Sequence, residues 1–140
     1  MSIQGRPLPV ADEQSAPFWE AAAEHILVLA RCRQCAAWSL PPEAVCTRCG
    51  SIDAGFEFAP VSGAGFVRSW TVVRQSFLPG FDEDLPFVLV DVELADQPEV
   101  RLIGRLLDGV ESQPELDEPV ELAWEDLAPE VSVPAFRLLR

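Results

Sequence analysis

The chain has 140 residues, with 23 acidic side chains against 10 basic ones, a net charge of −13 and four cysteines. Every basic residue is arginine, and so acidic a surface argues against a nucleic-acid partner, whose phosphates need clustered positive charge. The length suits one ordinary domain, or a small metal module joined to a compact barrel, and no stretch approaches the roughly 20 apolar residues of a membrane span.

Residues 1–24 read as a tail and a helix. The opening MSIQGRPLPVADEQ lacks the basic start and apolar run of a secretory leader, so a cytoplasmic chain is expected. Residues 1–11, with Pro7 and Pro9, read as a tail that is either extended along another surface or disordered. Ser15 is the expected N-cap, Pro17 fits a first turn, and Phe18 to Glu24 are mostly good helix formers. Phe18 and Trp19 either anchor this helix on the rest of the chain or face another chain.

Residues 25–54 carry the strongest signal. Ile26–Leu29 predicts a strand, and Trp38–Leu40 its return before Pro41-Pro42. Cys32-x2-Cys35 and Cys46-x2-Cys49 are separated by ten residues. In a reducing compartment two such pairs serve as metal ligands rather than disulfides. Each two-residue gap lets two thiolates face one centre, and two such knuckles close a tetrahedral shell with no open position. The expectation is structural zinc, with unused cysteines or a rubredoxin-like iron as the alternatives. Gly50 suits the positive φ of a knuckle turn, and Arg31, Arg33 and Arg48 flank the site to offset its charge.

Residues 55–140 read as β-strands near 56–61, 64–75, 86–95, 99–107, 119–126 and 133–139, the first two reading equally as one bent strand. Gly63 and Gly65 permit a bend into the long second strand. Both faces of that strand carry apolar residues, and Val88, Val90 and Val92 alternate with Leu89, Asp91 and Glu93. Turn residues at Pro79-Gly80, Asp96-Gln97-Pro98 and Asp108-Gly109 complete the pattern of a small five-stranded antiparallel barrel.

Other candidates are weaker. His25 is the only histidine, and a surface or capping imidazole is expected rather than a general base. Asp82-Glu83-Asp84 reads as a solvated loop without the spacing of a calcium site. Ser76 to Phe81, followed by Leu85-Pro86-Phe87, places large apolar residues in a turn-rich segment that either tucks beneath the barrel or stays exposed for a partner. From Asp82 to Glu130 there are 16 acidic residues against Arg101 and Arg105, so any contact with anionic phosphates belongs to the first half of the chain.

The order of parts resembles a bacterial and archaeal acyl-CoA-associated accessory family that joins a rubredoxin-like zinc ribbon to an OB-fold. Beyond the cysteines, the resemblance rests on Phe18-Trp19, Pro41-Pro42, Ser62-Gly63-Ala64-Gly65, Ser69-Trp70-Thr71-Val72-Val73, Phe81, Pro86-Phe87 and Val133-Pro134-Ala135-Phe136. It implies a mostly β fold: a short helix and four-cysteine ribbon, then an OB-fold barrel. It further implies a hetero-oligomer with a thiolase-fold enzyme, such as the lipid-transfer-protein-type aldolases that cleave steroid side-chain CoA esters, or with a hot-dog-fold hydratase. The chain would stabilise the catalytic subunit and help place an acyl-CoA, with no catalytic residue of its own. Phe18, Trp19, Phe77 and Phe81 are the apolar candidates for contact, and Arg33, Arg68 and Arg74 those for CoA. Two other readings fit the sequence less well: a zinc-ribbon/OB-fold nucleic-acid binder, which lacks the charge, and a free-standing acyl-CoA thioesterase or hydratase, which lacks a credible base.

Overall fold

The computed structural model describes residues 5–140; the start of the expected tail, residues 1–4, lies outside the described residues. Helix α1 spans Ala16–Ala23, with Pro17 in its first turn, where a missing N–H leaves no bond unmade. Ser15 holds the N-cap place without a capping bond from its side chain. It pairs instead with Asp12: the Ser15 N–H donates to Asp12 Oδ1 at 2.7 Å and the Asp12 N–H to Ser15 Oγ at 3.0 Å.

The far end of α1 is a Schellman motif. The Ile26 N–H donates to the Ala21 carbonyl at 3.0 Å and the His25 N–H to the Ala22 carbonyl at 2.9 Å. His25, at φ +60°, stands where glycine usually does, which is why the expected strand begins only at Val28. Its ring stacks on Trp124, centroids 5.5 Å apart and planes 8° from parallel. Nε2 lies 2.6 Å from Asp126 Oδ1, and that oxygen also accepts from Ser132 Oγ at 2.6 Å. The only histidine therefore clips the end of the helix to the barrel.

Strands β1 (Val28–Arg31), β2 (Trp38–Ser39) and β3 (Glu57–Pro60) form an antiparallel sheet in the order β2-β1-β3. The segment read as a possible first half of a bent barrel strand is thus a separate strand, β3, and it pairs along β1 from Val28↔Pro60 to Arg31↔Glu57. Little apolar surface is buried locally: one small cluster holds Cys32, Cys46 and Ala54. Leu27 and Leu29 instead enter the main core with Phe18, Val67, Val90 and Phe136.

That core fills a closed barrel of β4 (Gly65–Val73), β5 (Phe87–Leu94), β6 (Arg101–Leu106), β7 (Pro119–Ala128) and β8 (Val131–Leu138), ordered β4-β5-β6-β8-β7. Val88, Val90, Val92 and Leu94 point inward in strict alternation along β5, as the sequence pattern predicts. The barrel is mixed rather than purely antiparallel, because β6 and β8 pair in parallel at Arg105↔Ala135 and Leu106↔Phe136. The cause is connectivity: β8 returns from β7 through a tight turn and inserts beside β6, reached by a crossing segment, so its direction is fixed by β7. This is the Greek-key barrel of the OB-fold.

In β4 a bulge between Val67 and Ser69 breaks the simple alternation read from the sequence. After it, Trp70 and Val72 sit opposite Val90 and Val88. At the start of β4 the backbones approach closely. A Cβ on Gly65 would lie 2.4 Å from the Glu93 carbonyl oxygen and 2.5 Å from Val92 Cγ1. Gly65→Val should therefore cost about 1–3 kcal/mol through overpacking, read by chemical denaturation; unchanged stability would contradict this close approach.

The Asp126 carboxyl is held below its ordinary range, first by the Ser132 hydrogen bond and then by that of His25. A carboxylate depressed by folding supports the native state above its unfolded pKa of about 3.9, and that support is lost as pH falls through the folded value. Asp126→Asn should flatten the acid limb of stability below about pH 4 and speed amide exchange at His25 and Ile26. Identical acid limbs in the two proteins would remove the clip from the account.

Candidate metal centre

The two cysteine pairs sit on matching turns at one end of the ribbon sheet. After β1, the Cys32 N–H donates to the Ala37 carbonyl at 2.8 Å and the Ala36 N–H to the Cys32 carbonyl at 2.9 Å. In the second turn, the Cys46 N–H donates to the Ser51 carbonyl at 3.0 Å and the Gly50 N–H to the Cys46 carbonyl at 2.8 Å. The residue just after each second cysteine has positive φ: +75° at Gly50, as its sequence position suggests, and +65° at Ala36, which alanine gives no reason to expect.

These turns bring four sulfur atoms within 4.8 Å of one another. Cys32 and Cys49 Sγ are 3.9 Å apart, and Cys35 and Cys46 Sγ 3.6 Å. A regular tetrahedron with metal–sulfur bonds of about 2.3 Å has edges of about 3.8 Å, which these separations bracket. Cys32 and Cys46 are buried, whereas Cys35 and Cys49 reach solvent. The arrangement fits one tetrahedral ion held by thiolates alone.

Backbone dipoles favour the charged ligands. The Gln34 N–H points at Cys32 Sγ from 3.4 Å. The N–H groups of Cys49 and Arg48 pull the Cys46 thiol down to about 6, against desolvation. At Cys35 the Ala37 N–H acts the same way but is outweighed by desolvation and by hydrogen bonds with Cys46, Cys32 and Cys49, which push it up to about 11. The side chains of Arg31 and Arg33 are engaged elsewhere. Arg31 donates to the Ala36 carbonyl and stacks over Trp38, 4.9 Å from the ring centroid, while Arg33 pairs with Glu57.

The remaining sequence candidates are scattered. Phe18 is buried in the core with its ring edge-on to Trp19 at 4.9 Å. Phe81 lies under the Arg6 guanidinium, 4.4 Å from its centroid, whereas Phe77 is 93% exposed. Arg68 pairs with Asp117; Arg74 has no ion pair among the described residues. The acidic run is not a solvated loop throughout: Asp82–Asp84 is a 3-10 turn, and Asp84, its side chain only 6% exposed, binds Arg6 and Arg105. A carboxylate at the end of an acidic run gives no sequence signal that distant arginines will bury it. Among the described residues no helix is long and apolar enough to cross a membrane.

A four-cysteine ribbon whose leading strand is rooted in the core of an OB-fold barrel defines the class of protein. The comparisons agree part by part: residues 59–125 match the family described as ChsH2, C-terminal OB-fold domain, and residues 19–52 that described as ChsH2, rubredoxin-like zinc ribbon domain. A solved chain described as Ltp2-ChsH2(DUF35) aldolase superposes with TM-score 0.80 at 32% identity, over 94% of this chain and 99% of that one. The chain belongs to the ChsH2 (DUF35) family. A DUF35 protein of unknown function from Sulfolobus solfataricus shares the fold at TM-score 0.60 and 11% identity, over 91% of this chain and 87% of that one. The probable enoyl-CoA hydratase alpha subunit of Thermomonospora curvata is 33% identical over 132 residues, 94% of this chain. The chain spans 40% of that relative's length.

Freshly isolated, reduced protein should carry one equivalent of metal by elemental analysis. Cys46→Ser should lose it and raise amide exchange through the ribbon while the barrel strands stay protected. Full occupancy in that variant would exclude the four-sulfur site.

Proposed function

We infer that this chain is a non-catalytic accessory subunit that binds and stabilises a thiolase-fold or lipid-transfer-protein-type enzyme acting on acyl-CoA esters in the cytoplasm, with steroid side-chain aldolases as the class best matched. The observation carrying the reading is the likeness, over nearly the whole of both chains, to a structure described as the Ltp2-ChsH2(DUF35) aldolase. The metal is structural zinc: an all-thiolate tetrahedral set suits it, and a closed set offers no coordination position to a substrate. Its binding contributes on the order of 10–16 kcal/mol in comparable small modules, enough to order a ribbon with so little core.

A scaffolding role is supported by the state of the reactive groups. All four cysteines belong to one cluster, and the only histidine is stacked and bonded to a carboxylate, so no described nucleophile has a free imidazole beside it. For partner contact the β4–β5 loop is best placed, since Phe77 and Leu78 are exposed at its tip. Arg33 and Arg68 are each engaged by a carboxylate, which leaves Arg74, at the base of that loop, as the arginine for a CoA phosphate. Trp19 borders an apolar cavity, and Phe18 and Phe81 act from within as anchors. The nucleic-acid reading is not favoured, given a net charge of −13.

Co-expression with the thiolase-like protein of the same organism should yield a complex that co-purifies. Phe77→Asp should weaken it at least tenfold, about 1.4 kcal/mol, Cys46→Ser should abolish it, and His25→Ala should leave it intact. Turnover of an acyl-CoA by this chain alone, lost in His25→Ala, would overturn the accessory reading.

A further inference from the structure

Where the N-terminal segment, α1, the ribbon and the outer face of β5 and β6 meet, the structure leaves a half-open cavity of about 480 Å³. Its walls are apolar, with Trp19, Phe58, Phe87, Ile103, Leu127 and Pro134 among them. The volume lies within the range of small-molecule sites, roughly 300–1,000 Å³.

The charged part of the lining is Arg6, Arg105 and Glu125, with Ser15 as a further polar residue, and Asp84 behind the two arginines completes the network. Arg6, its side chain only 3% exposed, donates from Nε to the Gly80 carbonyl at 2.8 Å and pairs with Asp84. Arg105 Nη1 lies 3.0 Å from Asp84 Oδ2 and its Nε 3.7 Å from Glu125 Oε2. Each guanidinium also covers an aromatic ring, Arg6 that of Phe81 and Arg105 that of Phe87, at 4.4 and 4.3 Å. One contact in the network is incomplete: Arg6 Nη1 stands 3.8 Å from Glu125 Oε2, beyond hydrogen-bond range, and among the described residues this buried oxygen has no hydrogen-bond partner.

The geometry points to a binding site for an uncharged apolar molecule that carries a hydroxyl at one end. The network is electrically balanced, so it offers no surplus positive charge to an anion, and a ligand carboxylate would meet Glu125 as a like charge in apolar surroundings. A cation would meet two guanidinium groups. A neutral hydroxyl both accepts from Arg6 Nη1 and donates to the Glu125 carboxylate, supplying the bonds this corner lacks. The apolar remainder of the ligand covers walls that otherwise hold water against aromatic and aliphatic side chains. Every lining residue of this site belongs to the one chain.

The test titrates the full-length, metal-replete chain with two probes of equal length, 1-decanol and decanoate, by saturation-transfer NMR and by Trp19-dependent fluorescence. The alcohol should saturate the wild-type protein and bind at least tenfold more tightly than the carboxylate. Leu127→Trp, which fills the cavity, and Ile103→Gln, which changes an exposed wall residue, should each weaken the alcohol at least tenfold while keeping a cooperative thermal transition. Equal affinity for the two probes, no saturation by either, or wild-type affinity in both folded variants would overturn the assignment. The second outcome is also the one expected if a segment of another protein fills the cavity.

Discussion

Four sulfur atoms converging on one point hold a segment that buries almost nothing of its own. Between β1 and β3 the fully buried side chains are two of the cysteines themselves and Ala54, with Phe56 against them, while Trp38 and Leu40 pack only in part against the main core. Ordering this stretch costs roughly 1–2 kcal/mol of backbone entropy per residue, and so small a cluster cannot offset that by hydrophobic transfer. Coordination must supply the difference, which is why both knuckles are built alike, with backbone N–H groups turned toward sulfur.

The barrel solves its own problem differently. Val67, Val88, Val90, Val92, Val120 and Phe136 close a core that also receives Phe18 from α1 and Leu27 and Leu29 from the ribbon. Charge is used to fix arrangement more than to add stability. The buried Arg6, Asp84, Arg105 and Glu125 network ties the N-terminal segment to a loop, β6 and β7 at once. Such buried ion pairs gain little over a hydrophobic substitute, but losing one partner is costly. The network therefore selects one position for a segment that has no regular structure to hold it.

The sequence made the metal centre legible because cysteine spacing is local information: two short gaps dictate two turns, and the turns dictate convergence. The inward face of β5 was equally readable, since period-two alternation survives in the folded strand. Other features depended on contacts between distant residues. The parallel pairing of β6 with β8 follows from chain path rather than from either strand's composition. The β4 bulge shifts the phase without leaving a mark in the residue pattern. Asp84 looks like its acidic neighbours until Arg6 and Arg105 arrive from 78 and 21 residues away. His25 could be read as a capping residue, but its stacking on Trp124 could not, because the two lie far apart along the chain.

Strand β1 belongs to two structures at once. Leu29 is locked into the barrel interior and Cys32, three positions later, into the thiolate cluster. The spacing between them sets both the distance and the facing of one relative to the other, and a single inserted or deleted residue would turn every following side chain to the opposite face. The loops between the knuckles and after the second one carry no such double duty. Over evolutionary time, length variation in this lineage should gather there, while the short stem between Leu29 and Cys32 stays fixed even where its side chains drift.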